Sequence, residues 1–400
     1  MIMEQKRILI LGAGRGHLGL MKASKEMGLY SIVVGLPGDY PCIPLADKFC
    51  IADISKPDEV LAIAESEHAD GAIICASDTG LMSLGHVCDK LGLCGISYRA
   101  ATLSHNKCLM KKALTDHGVR TAKFITVSSY SEFLSKSTQL SYPLMVKAVD
   151  LQGSRGIYKV SNQDEAQNAL KNVFELSNCS YCVVEEFIDG NEFGAQAFVT
   201  NGSVRFVVPH GDEVYDTGHT KVPIGHYMPI RGFDSDRKRN IENQVIKAIN
   251  ALGLNNCAVN ADLIERNGEI FLIELSGRSG ANCLAELTSI YLGIDYYKLM
   301  LLNALGENVD RILHGINTDD GRACMSKMLY ASAEGTVTKI TYTQVENTEV
   351  HFFVKPSDEV RLISSSNDAI GQIIVSSNNL DECYKIIGHA ESQICLNVRH

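Results

Sequence analysis

No run of about eighteen apolar residues occurs in this 400-residue sequence, so no membrane-spanning helix is expected. Surplus positive charge is missing too. Lys and Arg total 37 against 47 Asp and Glu, a formal net charge of −10. That argues against nucleic acid or an anionic membrane as the main partner, while leaving room for a local basic pocket. Thirteen cysteines are scattered along the chain, and Cys179-x-x-Cys182 has no second pair to match it. A zinc site of that type needs two more ligands at matching spacing. The cysteines therefore read as reduced core thiols of a cytoplasmic protein. Neither an internal repeat nor a low-complexity tract is present. The opening residues lack the long apolar core of a secretory signal and run straight into a glycine turn, as a first β-strand does.

What is present is ordinary for a globular protein: 45% hydrophobic and 21% charged residues. The length exceeds one compact core and implies about two to four lobes. Residues 7–100 alternate apolar runs with helical patterns, the βαβ rhythm of a parallel sheet. Strands are expected at 7–11, 31–35, 48–52 and 71–76, with helices at 18–27 and 57–67. Gly14-x-Gly16-x-x-Gly19 follows the first strand and formally matches a dinucleotide fingerprint. The second strand ends in Val33-Val34-Gly35-Leu36, without the acid that holds a ribose. No Gly-Lys-Ser/Thr follows, so it is not a P-loop. The turn either seats an anion at a helix N-terminus or is only a tight connection. Ser77-Asp78-Thr79 sits at the carboxyl edge of this sheet, as a ligand contact or a helix cap.

The stretch Asp262–Arg278 carries the densest chemistry. Apolar runs flank Arg266-Asn267-Gly268, which reads as a β-hairpin. A two-residue turn would put Asp262 and Glu274 on opposite faces. A three-residue loop with Gly268 left-handed puts them on one face, and that loop is expected. Glu274, Ser276 and Arg278 then share the face by period two. Such a set can hold Mg²⁺ through oxygens and grip a phosphate or carboxylate. The alternative is an ordinary solvated face.

Other candidates are spread along the chain. Lys147 interrupts the apolar strand Tyr142–Ala148, and a half-buried lysine needs an anion. Gly153, Ser154 and Gly156 follow, allowing the backbone to fold over phosphates. Tyr181–Phe187 reads as a strand, and Gly194–Val199 with Ser203–Val208 as a hairpin around Asn201-Gly202. His210–Arg231 is expected to be a polar loop. Asn282 precedes a long helix whose N–H groups offer an anion site. From Met325 the pattern is β-rich.

Taken together these residues resemble the ATP-grasp superfamily. Its metal-binding end is an acid followed by a Glu-x-Asn-x-Arg run; here the run is Glu274-Leu275-Ser276-Gly277-Arg278, with Ser276 where Asn is usual. The resemblance covers about residues 1–310, and the nearest branches are L-amino-acid ligases, phosphoribosylglycinamide synthetase and biotin carboxylase. It implies a mixed α/β and α+β architecture. An N-terminal parallel α/β pre-ATP lobe (1–104) precedes a two-lobed ATP clasp (105–310) and a small β-rich C-terminal lobe (325–400). Lys107, with Lys111 as fallback, and Lys147 would reach ATP phosphates. Backbone groups at Glu186, Phe187 and Ile188 would meet adenine, and Glu185 or Glu186 with Glu192 would meet amine and ribose. Asp262, Glu274 and Ser276 would hold Mg²⁺, with Mn²⁺ as a substitute. Arg278 would grip acyl-phosphate oxygens or the substrate carboxylate, and His219, Lys221 and Asn282 would face the second substrate.

The implied activity is ADP-forming ligation of a small-molecule carboxylate to an amine, with Lys147, Glu274 and Arg278 catalytic and a homodimer allowed. The alternatives are an ATP-binding protein without turnover, a biotin carboxylase- or carbamoyl-phosphate synthetase-like enzyme, or a nicotinamide oxidoreductase built on the first lobe.

Overall fold

The computed structural model describes residues 5–151, 155–216 and 221–399. Four parallel strands open the chain: β1 (Arg7–Leu11), β2 (Tyr30–Gly35), β3 (Lys48–Ile51) and β4 (Gly71–Ile73), in the order β3-β2-β1-β4. The near-continuous apolar sequences of β1, β2 and β4 suit parallel strands buried on both faces, while β3 at the edge is more exposed. β5 (Phe124–Val127), β6 (Leu144–Ala148), β7 (Ile157–Val160) and β8 (Cys182–Glu186) form an antiparallel sheet, order β5-β8-β6-β7. Val127, Phe133, Val146, Leu170 and Val173 make its core. Next come β9 (Asn191–Thr200), β10 (Ser203–Asp216), β11 (Lys221–Met228), β12 (Cys257–Arg266) and β13 (Glu269–Ser276).

The chain divides into two compact units: Met1–Val207 with Asp234–Ser279 and Lys298–Val309, and Val208–Phe233 with Gly280–Tyr297 and Asp310–His400. In the first unit, β13, β12, β9 and the start of β10 are neighbours in that order. In the second, the rest of β10 is followed by β11, β14 (Ala323–Leu329), β18 (Gly371–Ser377) and β16 (Thr348–Phe352). A separate three-stranded sheet there has β15 (Gly335–Tyr342) between β17 (Glu359–Val360) and β19 (Ile394–Arg399). The helix Leu380–Ser392 covers a core that includes Met325, Ile373, Val375, Cys383 and Ile387. The β-rich C-terminal pattern is thus present, strand by strand.

One expectation is overturned. His210–Arg231 is not an irregular loop: β10 runs on to Asp216 and pairs antiparallel with β11. Polar residues in the stretch hid the period-two alternation. Of this hairpin, residues 217–220 lie outside the described residues.

The glycine turn after β1 is built around a buried histidine. Gly12 has φ +115°, and a Cβ there would lie 2.6 Å from the His17 ring. Burial lowers the His17 pKa to about 4, so the imidazole is neutral. A Cβ on Gly16 would meet that of Ala76 at 2.6 Å, which explains the close approach of the segment leaving β4.

No cysteine is disulfide-bonded. Burial raises the thiols of Cys42, Cys88 and Cys182 to about 12, which leaves them inert. Among the described residues no helix is long and apolar enough to cross a membrane.

Candidate active site

The β12–β13 hairpin corrects the expected loop and keeps its consequence. Arg266 pairs with Glu269, so Asn267 and Gly268 alone form the turn, both left-handed at φ 54° and 79°. A regular ladder from that turn would set Asp262 opposite Ile273. Instead Leu263 pairs with Leu272 and Asp262 with Glu274. Ile273 is the extra residue of a β-bulge, and it packs against the cluster of Ala122, Ile188, Ile264 and Phe271. The bulge, not the turn, places the two carboxylates across from each other. Behind them, Gln196 donates to Asn260 Oδ1 at 2.6 Å, and Asn260 donates to Asp262 Oδ1 at 3.1 Å. Gln196 is fully buried, so this chain of amides orients an exposed aspartate.

Lys107 opens the helix Lys107–Asp116, whose N-terminus is capped by Asn106 through the N–H groups of Cys108 and Leu109. Its Nζ donates to the Leu151 carbonyl at 2.7 Å and lies 3.6 Å from Glu274 Oε1. One helical turn on, buried Lys111 donates to Thr121 at 3.0 Å and pairs with Glu185. Lys147, from β6, pairs with the other oxygen of Glu185. Burial opposes the Glu185 charge, but the two ammonium groups prevail and hold its pKa at about 2. Burial likewise lowers the Lys111 pKa, against Glu185. Three lysines and one carboxylate leave an excess of positive charge beside the Asp262–Glu274 pair.

Arg278 and Ser276 both reach Asp78. Arg278 Nε and Nη2 donate to the two Asp78 oxygens at 2.8 and 2.6 Å, a bidentate pair, and Ser276 Oγ donates to Oδ1. Burial would raise the Asp78 pKa, but Arg278 and Ser276 lower it below the ordinary range. The segment leaving β4 is pinned by Ala76 N–H to the Ser279 carbonyl at 3.2 Å, with Ala76 left-handed at φ 53°. Asp78 is therefore neither a simple helix cap nor an isolated edge residue.

The remaining candidates fall as follows. Glu186 accepts from Ser141 N–H at 2.9 Å, and the N–H groups of Glu186 and Phe187 are taken by the Lys123 and Pro143 carbonyls. Lys159 sits 3.6 Å above the Phe187 ring. Ile188 is buried, and Glu192 is exposed on β9. Gly156 is left-handed at φ +65°, and its carbonyl accepts from Ala148 N–H at 2.9 Å. Gly153, Ser154 and His219 lie outside the described residues. Lys221 begins β11, and Asn282, left-handed at φ 51°, belongs to the second unit.

Sequence reasoning missed the clamp by Asp78, the Gln196–Asn260 relay and His105. Burial lowers the His105 pKa, and Asp78, Lys107, Asp150 and Glu274 all act on it. Alternation along β9 and β12 was the available signal for Gln196 and Asn260. Asp78 stood out only as a residue at the sheet edge; nothing local signals its partners, which lie 198 and 200 residues away.

Comparison with known proteins decides the family. Residues 105–259 match the model of the phosphoribosylglycinamide synthetase ATP-grasp (A) domain. The crystal structure of phosphoribosylglycinamide synthetase from Anaerococcus prevotii is 41% identical. Its TM-score is 0.87, over 99% of this chain and 100% of that one. The chain belongs to the ATP-grasp superfamily, in its carboxylate–amine ligase branch. Formate-dependent phosphoribosylglycinamide formyltransferase from Prochlorococcus marinus (strain NATL1A) is 24% identical over 94% of both chains. Alanine–anticapsin ligase from Bacillus subtilis is 24% identical over 75% of this chain and 74% of that one. The ATP-grasp protein described here is an ATP-dependent, ADP-forming ligase that makes a carbon–nitrogen bond on a small metabolite.

Proposed function

We propose that the carboxylate is that of an amino acid or similar metabolite, and that Asp262, Glu274 and Ser276 hold the metal at which it is activated. The observation that carries this reading is the facing pair Asp262–Glu274 with Lys107 3.6 Å from Glu274. Carboxylate oxygens in opposition suit a hard, oxygen-seeking cation, Mg²⁺ or Mn²⁺. When bound, ATP with its cation supplies the phosphoryl group that activates the carboxylate.

The chain's own residues supply placement and charge. Lys107 and Lys147 offset phosphate charge, as phosphoryl transfer requires. Lys147 is steered by Glu185, which therefore acts on the nucleotide through that lysine. Phe187 and Ile188 bound the purine edge with Glu186. Because the N–H groups of Glu186 and Phe187 are taken by the Lys123 and Pro143 carbonyls, the adenine contacts are assigned to the other backbone groups of Glu186, Phe187 and Ile188. Glu192 is assigned to the ribose. Gly153, Ser154 and Gly156 are assigned to a lid that would exclude water. Ser276 donates its hydroxyl hydrogen bond to Asp78 and keeps acceptor lone pairs for a second ion. Arg278, oriented by its bidentate pair with Asp78, presents its remaining N–H groups to acyl-phosphate oxygens. His219, Lys221 and Asn282 are assigned to the second substrate. The three-lobe division at 1–104, 105–310 and 325–400 belongs to this reading.

In the reaction so written, a carboxylate oxygen takes the γ-phosphoryl group and ADP leaves. The amine nitrogen then attacks the acyl carbon, phosphate departs, and the amine loses a proton.

The test is a screen of amino acids against amines for ADP release, with hydroxylamine as trap. A hydroxamate formed with ATP, Mg²⁺ and one acid supports the reading. Release of AMP and pyrophosphate would overturn it.

A further inference from the structure

The second unit carries a cluster that this ligase chemistry does not use. His210 and Asp212 alternate on β10 and share a face, and Asp212 pairs across to His226 on β11. Both imidazoles aim Nδ1 at one oxygen: His210 Nδ1 lies 2.9 Å and His226 Nδ1 2.6 Å from Asp212 Oδ1. The two rings meet edge-on, 5.3 Å apart, and only 2% of His210 and 6% of His226 is exposed.

The register behind this meeting is fixed twice. Gly211 pairs with Tyr227 on the opposite face, and a Cβ at Gly211 would overlap the tyrosine ring at 1.9 Å. A bulge follows: Glu213 pairs with Gly225 and Val214 with Pro223, leaving Ile224 as the extra residue. Without the bulge Asp212 would face Gly225. The opposite face is filled by Tyr227 against Tyr384, which donates to Glu213. On the other side of β11, the His226 N–H donates to buried Ser326 Oγ, which donates to the Asn282 carbonyl.

We propose that His210, Asp212 and His226 bind a divalent transition-metal ion of the Zn²⁺ class, at a site distinct from the Mg²⁺ carboxylates. Two imidazoles and a carboxylate on one face are the donor set such ions select, whereas Mg²⁺ prefers oxygen alone. The three donor atoms lie within 4.8 Å of one another. Tetrahedral Zn²⁺ with bonds of about 2.0–2.2 Å sets its ligand atoms about 3.3–3.5 Å apart, so from 2.9 Å at His210 and 2.6 Å at His226 the Nδ1–Oδ1 separations need to open by about 0.4 and about 0.7 Å. Ser326 holds the β11 backbone at His226 during that adjustment.

Zinc also binds thiols, and thirteen cysteines are available, so the probe is Co²⁺. The full-length protein, stripped with EDTA, is titrated with Co²⁺. Expected is about one ion per chain with visible d–d bands and no thiolate charge-transfer band, displaced by Zn²⁺ but not by Mg²⁺. Asp212→Asn and His226→Gln should each weaken binding beyond the roughly 10–100-fold cost of losing an outer-shell partner. Absence of the bands, a thiolate band, or bands unchanged in both variants would overturn the proposal and leave a hydrogen-bonded triad. Should the variants unfold by circular dichroism, wild-type crystals grown with Zn²⁺ decide the matter. An anomalous peak at the zinc edge between the three side chains supports the site, and no peak there overturns it.

Discussion

Two hairpins, β12–β13 and β10–β11, use the same device to different ends. Each has a one-residue bulge between its turn and its chemistry, Ile273 in one and Ile224 in the other. Each bulge shifts the register by one and thereby turns a scattered set of polar residues into a facing set. The outcomes differ in exposure. Asp262 is exposed and Glu274 half-buried, as a site that meets a solvated nucleotide requires. His210 and His226 are buried beneath the sheet surface, as suits a small ion or a closed hydrogen-bonded set. The lesson is that turn residues alone do not determine which side chains face each other.

The largest expected effect tests the first hairpin directly. Asp262→Asn and Glu274→Gln each remove one charge and little volume. ADP release should fall by about 10²-fold or more, since the metal neutralises charge that develops during transfer. Because Asp262 is exposed and Glu274 only half-buried, thermal unfolding should move little. Wild-type rates and Mg²⁺ dependence in both variants would reduce this hairpin to a solvated face.

Deleting Ile273 sharpens the comparison. The Asn267-Gly268 turn would survive and the ladder would become regular, with Leu272 followed at once by Glu274, so Asp262 would still face Glu274. ADP release should therefore be retained, while loss of a partly buried side chain lowers the melting temperature by several degrees. A loss of ADP release as severe as in Glu274→Gln would mean that the bulged backbone itself, and not only the facing of the two carboxylates, is needed.

A smaller effect concerns the lysines. Glu185 is held at about pKa 2, against about 4.3 in an unfolded chain. A depressed carboxylate stabilises the fold above the unfolded value and loses that contribution as pH falls through the folded one. Its ionised form is therefore fully stabilising above about pH 4.3, on the order of a few kcal/mol. Urea unfolding between pH 6 and 2 should show Glu185→Gln less stable at pH 6 and flatter below pH 4.3 than wild type. Parallel curves would mean the Lys111–Glu185–Lys147 set contributes nothing to pH dependence.

How far was this legible in the sequence? The parallel first sheet was, because its strands are apolar runs separated by helical periods. Lys147 stood out as one charge in an apolar strand, and Asp262, Glu274 and Arg278 as alternating polar positions. Bulges were not legible: an extra residue leaves the local alternation of Leu272-Ile273-Glu274 unremarkable, since Ile273 is itself apolar. The polar stretch His210–Asp216 read as loop for a related reason. Its buried face is made of His210 and Asp212, which satisfy each other, so burial there has no apolar signature. Asp78 was visible at the sheet edge, but its pairing with Ser276 and Arg278 was hidden by distance along the chain, since local patterns carry no information on a partner some two hundred residues away.

The smallest effect isolates Ser276, where an amide is usual in the relatives' pattern. Its hydroxyl has two roles to fill: it donates to Asp78, and it is proposed to offer its oxygen to a second ion. Ser276→Ala removes both. Losing one hydrogen bond to a charged group should cost about 1.5–3 kcal/mol of stability, read by urea unfolding. The metal role predicts something separate: the Mg²⁺ concentration for half-maximal ADP release should rise a few-fold, because a lost neutral ligand weakens the site far less than a lost carboxylate. Ser276→Asn restores an oxygen donor and should lower that concentration below the wild-type value while leaving turnover intact, provided the larger side chain is accommodated at a position only 5% exposed. Stability measured alongside the Mg²⁺ curve separates the two roles. A destabilised Ala variant with an unchanged Mg²⁺ curve would assign Ser276 to the Asp78 clamp alone, and the metal would then rest on Asp262 and Glu274.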